Sequence, residues 1–260
     1  MQALEGLRVV DMATVLAGPA AGKYLADFGA DVIKIEAPEG DGTRRMGWMP
    51  PDGGDAYMWQ IVGRGKRSVV ADLKTEEGLA LLLRLVDDAD VLIENFRPGT
   101  MERLGLDPSD LLKRNPRLVI LRVSGFGQTG PYKSRPGFAS IAEAMSGFAS
   151  LSGEPDGAPL LPPIALTDEV TGIVGAFSIM VALRHRDATG EGQVVDVNLL
   201  ESILQMMGPL PAAYAGLGYE QPRMGSGIPY SVPRGTYQCA DGEWIAISAS
   251  AESVAARVLE

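Results

Sequence analysis

Cysteine and histidine are nearly missing from this 260-residue chain, where Cys239 and His185 are the only examples of each. A single cysteine excludes an intrachain disulfide, and no Cys/His spacing of a metal site exists. Mechanisms built on a His–His or His–carboxylate pair have little to draw on. Aromatics are few, at 6%, and the net charge of −10 lacks the basic footprint of sequence-independent nucleic-acid binding. In so acidic a chain an anionic ligand needs a local cluster of Lys and Arg, because the global field repels it. No basic segment leading into an apolar core opens the chain, which runs straight into LEGLRVVDM, so no signal peptide is expected. The longest apolar run, residues 170–183, is too short to span a bilayer and contains two glycines. It reads as a buried helix, and a cytoplasmic protein with no membrane partner is the expectation.

What the chain does have is punctuation: 32 glycines and 18 prolines, which suit many short elements joined by tight turns. Short β-branched runs recur at 7–12, 32–36, 68–73, 91–95 and 118–124. Helix-like stretches lie between several of them: residues 19–28, opening on a proline, and 75–88, opening on a Thr cap with an acidic first turn. Strands alternating with helices predict βαβ units and an open, mostly parallel, Rossmann-like α/β sheet with flanking helices. Residues 39–66 read as a long loop without a period, and a long helix is expected over about 167–186. A strand at 194–199 and an apolar helix to about 215 follow, then an irregular stretch and a hairpin around Asp241-Gly242. The predicted division is a large α/β domain over 1–215, with a linker and the start of a smaller α+β domain over 216–260. The chain ends inside SAESVAARVLE, so a longer natural protein is expected.

Three local features carry candidate chemistry. GFGQTG at 125–130 matches G-x-G-x-x-G after a strand, but Pro131 and Pro136 follow where a dinucleotide site needs a helix to open at once. A glycine turn is the reading that fits. Basic residues including Arg44, Arg45, Lys66, Arg67, Lys74, Arg97 and Arg103 fall near strand ends or in loops. One alone is ordinary surface charge; as a set in an acidic chain they suit a polyphosphate beyond the carboxyl ends of strands. Asp168 stands where the long apolar helix begins. Thr167 or Asp168 as a helix N-cap explains it locally. The same position also keeps a carboxylate ionised and aimed at the helix entrance, as a nucleophile requires.

Taken in order, AGPAAGKYLADFGADVIKIEAPEGDGTR, KRSVVADLKTEEG, ADVLIENFRPGTMERLGL, NPRLVILRVSGFGQTGPY, TDEVTG and TGEGQVVDV resemble the family III CoA-transferases. The resemblance implies a large α/β domain and a smaller domain in each subunit, with two subunits interlocked as a homodimer. It implies acyl-CoA and small carboxylates as substrates, and coenzyme A as a substrate rather than a resident cofactor. It places the catalytic aspartate on Asp168, with its glycine at Gly172. By the same resemblance, Asp168 attacks the thioester to give an acyl-aspartyl anhydride. CoA-contacting positions fall on Val15, Ala17, Arg44, Lys74, Asn95, Phe96 and Arg103, with Arg44, Lys74 and Arg103 serving phosphates.

Departures from the pattern narrow the reading. Leu16 stands where formyl-CoA transferase has a substrate-binding Gln, which disfavours an oxalate/formate pair. Pro136 replaces a CoA-contacting lysine, Ala139 a frequent aspartate, and Gly225-Ser226-Gly227 is only part of a glycine-rich lid. α-Methylacyl-CoA racemases share the fold and an aspartate at this position, but pair it with a histidine where this chain has Phe138. The second acid/base partner of that reaction is therefore missing. An inactive CoA-binding remnant is the other alternative.

Overall fold

The Val- and Ile-rich runs become parallel strands in the computed structural model, which describes residues 2–259. They are β1 (Arg8–Asp11), β2 (Asp31–Glu36), β3 (Lys66–Val70), β4 (Val91–Glu94), β5 (Val119–Ser124) and β6 (Gln193–Asn198). Their order in the six-stranded sheet is β3-β2-β1-β4-β5-β6, with every pairing parallel. The predicted α/β class and parallel sheet are therefore correct. The chain reverses its direction of travel across the sheet between β1 and β4, the topological switch point at which open α/β sheets bind ligands.

Parallel neighbours require crossovers, here made by α1 (Ala17–Asp27), α3 (Glu76–Asp87), α5 (Pro108–Arg114) and α8 (Leu166–Thr189). Helix α3 begins where expected, with Thr75 Oγ1 accepting from Gly78 N at 3.1 Å. Three expectations are corrected. Residues 39–66 are not wholly irregular: a 3-10 turn (Gly42–Arg45) and α2 (Tyr57–Val62) lie within them. Strand β3 starts at Lys66, because Lys66 and Arg67 pair with Val32 and Ile33. The apolar stretch after β6 is two helices, α9 (Leu199–Met206) and α10 (Leu210–Leu217), broken where Gly208 takes φ of 59° before Pro209.

Alternation along the strands gives the sheet two different faces. Val10, Ile35, Leu92 and Ile120 point to one side, where they pack with Leu82 and Val86 of α3 and Leu111 of α5 in one apolar core. The opposite set includes Asp11, Lys34 and Glu36, all buried. Helices α1 and α8 meet through glycines: a Cβ on Gly172 would lie 2.5 Å from Ala20 Cβ, and one on Gly175 would lie 3.0 Å from Leu121 of β5. By length and composition α8 could cross a bilayer. The face bearing Gly172 and Gly175 is instead used to pack on α1 and the sheet.

The chain divides into two compact units, residues 1–142 with 164–205, and residues 143–163 with 206–260. Helix α6 (Ala139–Met145) runs across that division, after α4 (Thr100–Arg103) of the first unit. The second unit holds α7 (Phe148–Leu151), α10, the hairpin β7 (Arg234–Gln238) with β8 (Trp244–Ser248), and α11 (Glu252–Leu259). Its two stretches of sequence are joined by Arg223 Nη1 donating to Ser150 O at 2.9 Å and Gly225 N to Gly153 O at 3.1 Å.

Candidate active site

The turn from β1 into α1 sits at the switch point, and its backbone is fixed from several directions. Ala13 N donates to Asp11 Oδ1 at 3.0 Å. Across the crevice, Asn95 at the end of β4 accepts from Thr14 N at 2.8 Å and donates Nδ2 to Thr14 O at 2.6 Å. Gly18 has no room for a side chain, since its Cβ would lie 2.4 Å from Ala13 Cβ. Within this frame Val15 takes φ of 64°, the one described non-glycine residue in the left-handed region. A β-branched residue there is strained, and such strain persists only where neighbouring contacts over-determine it. Val15 is half exposed, Leu16 and Ala17 are buried, and no side chain caps the start of α1. The structure thus brings Val15, Ala17 and Asn95 together, and gives the Asn95 amide a structural use in holding the turn.

Asp168 is the third residue of α8 and is half-buried. The helix starts at Leu166 with Ala165 as its N-cap, so neither Thr167 nor Asp168 occupies the cap position. A carboxylate in the first turn is favoured by the helix dipole. Its neighbour Glu169 is committed to α1: Lys23 Nζ lies 3.2 Å away and Tyr24 Oη donates at 2.9 Å. Burial, and then the carboxylate of Glu169, raise the Tyr24 hydroxyl above its usual range. Gly172 follows Asp168 by one turn, hence on the same helix face. There its Cβ would lie 3.2 Å from Ala17 O and 2.5 Å from Ala20 Cβ, against the first turn of α1. The helix face that carries both Asp168 and Gly172 thus packs, at Gly172, on the first turn of α1. Gly172→Ala should force the helices apart and cost about 1–3 kcal/mol by overpacking. A chemical-denaturation midpoint shift of that size checks it.

The predicted phosphate contacts all follow carboxyl ends of strands but differ in availability. Arg44, in the 3-10 turn after β2, has its guanidinium fully engaged. Nε and Nη2 grip Glu36 at 2.7 and 2.6 Å, Nη1 meets Asp55 at 2.6 Å, and the group lies 3.8 Å over the Trp59 ring. These carboxylates, Glu36 first, raise its already high pKa. Burial pushes Glu36 up, yet Arg44, the Ser68 hydroxyl and Asp41 N–H outweigh it and hold the carboxyl at about 2. Lys74 follows β3 in the turn that caps α3 and is exposed; its backbone N donates to Asp72 Oδ1 at 3.0 Å, and its ammonium has no partner among the described residues. Arg103 closes α4, exposed, with Nη2 donating to Thr100 Oγ1 at 2.7 Å. Phe96 packs against the apolar core, which accounts for its ring without a ligand.

Other candidates lie elsewhere or are simple structure. His185 is seventeen residues beyond Asp168 on the same helix, roughly 25 Å along its axis at 1.5 Å per residue. That distance keeps it from pairing with Asp168. Behind GFGQTG no helix opens before Ala139, so the loop lacks the helix terminus of a dinucleotide site. Gly127 N donates to Ser124 Oγ at 2.9 Å and Gln128 N to Asp196 Oδ2 at 2.8 Å. Met46, Trp48 and Met49 are exposed. Gly225, Ser226 and Gly227 belong to the second unit. Sequence reasoning missed Asp11, Lys34 and Glu36, and took Lys66 for a loop residue. All four are buried side chains under the switch-point turn and its neighbour. The available signal was charge at alternate positions within a β-branched run, as at Lys34 and Glu36 in DVIKIE.

The CoA-transferase family III model matches residues 4–260. The beta subunit of succinyl-CoA–L-malate CoA-transferase from Chloroflexus aurantiacus is 45% identical over 258 residues, covering 98% of this chain and 64% of that protein. Succinate–glutarate CoA-transferase from Agrobacterium fabrum is 45% identical over 246 residues, covering 92% and 61%. Among solved structures, a CAIB/BAIF family protein from Brucella suis superposes with a TM-score of 0.87 at 40% identity, over 94% of this chain and 65% of the other. The Mycobacterium tuberculosis protein Rv3272 does so with a TM-score of 0.86 at 36% identity, over 99% and 68%. The chain spans 57–64% of the length of its first curated relatives. With the family model matching residues 4–260 and relatives 45% identical over nearly the whole chain, the chain belongs to CoA-transferase family III.

Proposed function

We propose that the whole protein is an acyl-CoA:carboxylate CoA-transferase in which Asp168 is the nucleophile. The observation that supports the reading is the packing of Gly172, one helical turn beyond Asp168, on Ala17 and Ala20 at the start of α1. Family membership and the transferase names of relatives at 45% identity supply the reaction class.

In this reading a carboxylate oxygen of Asp168 attacks the thioester carbonyl carbon. The new C–O bond forms, the C–S bond breaks, and CoA leaves as thiolate. The mixed anhydride keeps the acyl group reactive. The acceptor carboxylate then attacks the aspartyl carbonyl of the anhydride and expels the donor carboxylate. The thiolate attacks the new acyl carbonyl, breaking its C–O bond to give the new thioester and free Asp168. Asp168 lies in the first turn of α8, where the helix dipole favours a negative charge. Lys74 and Arg103, both exposed beyond strand ends, are placed to meet CoA phosphates; Arg44 meets them only by sharing its fork with Glu36 and Asp55. Coenzyme A is a substrate here, and no resident cofactor or metal is assigned. The assembly is a homodimer whose subunits each carry a large and a smaller domain, as the family resemblance implies. A cytoplasmic location and a boundary near residue 216 are sequence-based expectations. Racemisation is disfavoured because Phe138 stands in the place of its histidine and His185 is remote.

The test is to incubate the full-length protein with acyl-CoA donors and carbon-13-labelled carboxylates in deuterated water. Labelled acyl-CoA is the expected product. Deuterium at the α-carbon without label transfer would overturn the reading in favour of racemisation.

A further inference from the structure

Two lysines that no step of the proposed reaction uses have almost wholly buried side chains; one donates to the main chain of the switch-point turn and the other to that of the first turn of α1. Lys34 is 1% exposed, and its Nζ donates to Ala13 O at 2.5 Å and to Ile35 O at 3.2 Å. The side chain of Lys66 is also 1% exposed, and its Nζ donates to Pro19 O at 2.7 Å and to Asp11 Oδ2 at 2.7 Å. Ala13 and Pro19 bracket the strained residue Val15. The two ammonium groups therefore hold the main chain on either side of the one left-handed position, in the turn at Ala13 and in the first turn of α1 at Pro19.

Each lysine has its own counter-charge. Asp41 Oδ2 lies 3.3 Å from Lys34 Nζ, while its Oδ1 accepts from Thr43 N and Oγ1 at 2.8 and 2.6 Å. Asp11 serves Lys66 with Oδ2 and holds Ala13 N with Oδ1. A buried charge is costly and is kept only when paired and hydrogen-bonded. An apolar pair would fill the same space more cheaply, so packing alone does not call for two lysines here. What an apolar residue cannot do is donate to Ala13 O and Pro19 O.

We propose that Lys34 and Lys66 are positioning residues for CoA binding. Their ammonium groups fix the carbonyl of Ala13 in the β1–α1 turn and that of Pro19 in the first turn of α1, so that Val15 and Ala17 between them are presented in the binding conformation before the ligand arrives. The inference rests on the transferase reading above. Pre-organisation of this kind strengthens binding by removing the entropy loss of ordering a loop on association.

The test uses two charge-neutral double variants of the full-length protein, Lys34→Met with Asp41→Asn and Lys66→Met with Asp11→Asn. Each retains a carbonyl oxygen for Thr43 or Ala13 and leaves no unpaired charge. Leu82→Val, in the apolar core under α3, is a control for general loss of stability. Calorimetry with CoA should show at least tenfold weaker binding in each double variant and unchanged binding in the control. Amide exchange of a peptide spanning residues 12–20 should accelerate at least tenfold in the double variants alone, and KM for acyl-CoA should rise far more than kcat falls. Wild-type affinity and wild-type exchange in either folded double variant would overturn the proposal. If one double variant fails to fold, the other decides. Absence of CoA binding by the wild-type protein would instead defeat the transferase reading, a different result from equal binding by wild type and variants.

Discussion

Asp168→Ala is expected to lower kcat for CoA transfer by about a thousandfold or more while CoA affinity stays within about threefold. A thousandfold corresponds to about 4 kcal/mol of lost transition-state stabilisation. The effect is large because, in the proposed mechanism, this side chain forms the covalent bond and no neighbour can replace it. Glu169, the adjacent carboxylate, is tied to Lys23 and Tyr24 and belongs to the α1–α8 contact. The fold should survive, since a carboxylate in a first helical turn contributes only about 0.3–1 kcal/mol through the dipole. Asp168→Asn, which keeps the shape and removes the nucleophile, should show the same loss. Steady-state kinetics with a CoA titration separates the two quantities, and near-normal turnover in either variant would sink the mechanism.

Glu36→Gln should destabilise the protein by about 3 kcal/mol at neutral pH, because it removes one partner of a buried, fork-bonded pair. Glu36 is held at about 2 in the folded protein against an ordinary value of 4.5. A depressed carboxylate contributes its stability above the unfolded value, and that contribution is lost as pH falls towards the folded one. The gap between wild type and Glu36→Gln should therefore be full at pH 7, narrow below about pH 4.5, and fall to roughly half by pH 3. Denaturant unfolding at these pH values checks it. A gap that is constant with pH would mean that the Arg44–Glu36 pair is not what holds this corner.

Much of the fold was legible because its cause is local. β-Branched runs alternating with capped amphipathic stretches mark βαβ units, and Thr75 announced α3 through its own hydroxyl. Strand order was not legible, since the placement of β4 beside β1 is decided by long-range packing. The start of β3 was hidden because Lys66 and Arg67 look like loop charges. Lys66 lies in the strand only because Asp11, 55 positions earlier, neutralises it. At the site, the resemblance picked out Asp168, Val15, Ala17 and Asn95 on motif order, and the structure gathers the last three at one turn. It could not show that Arg44 is engaged with Glu36 and Asp55, or that Asn95 spends its amide on Thr14. Those pairings join residues 8 to 81 positions apart and depend on the folded sheet.

The claim at the centre of this account is the covalent role of Asp168, and trapping measures it most directly. Full-length protein would be mixed with an acyl-CoA donor, quenched with hydroxylamine, digested and mapped by mass spectrometry. The account predicts a hydroxamate on Asp168 that depends on the donor and is absent from Asp168→Asn. Sustained CoA transfer with no adduct at Asp168, or with the adduct on another carboxylate, would contradict it.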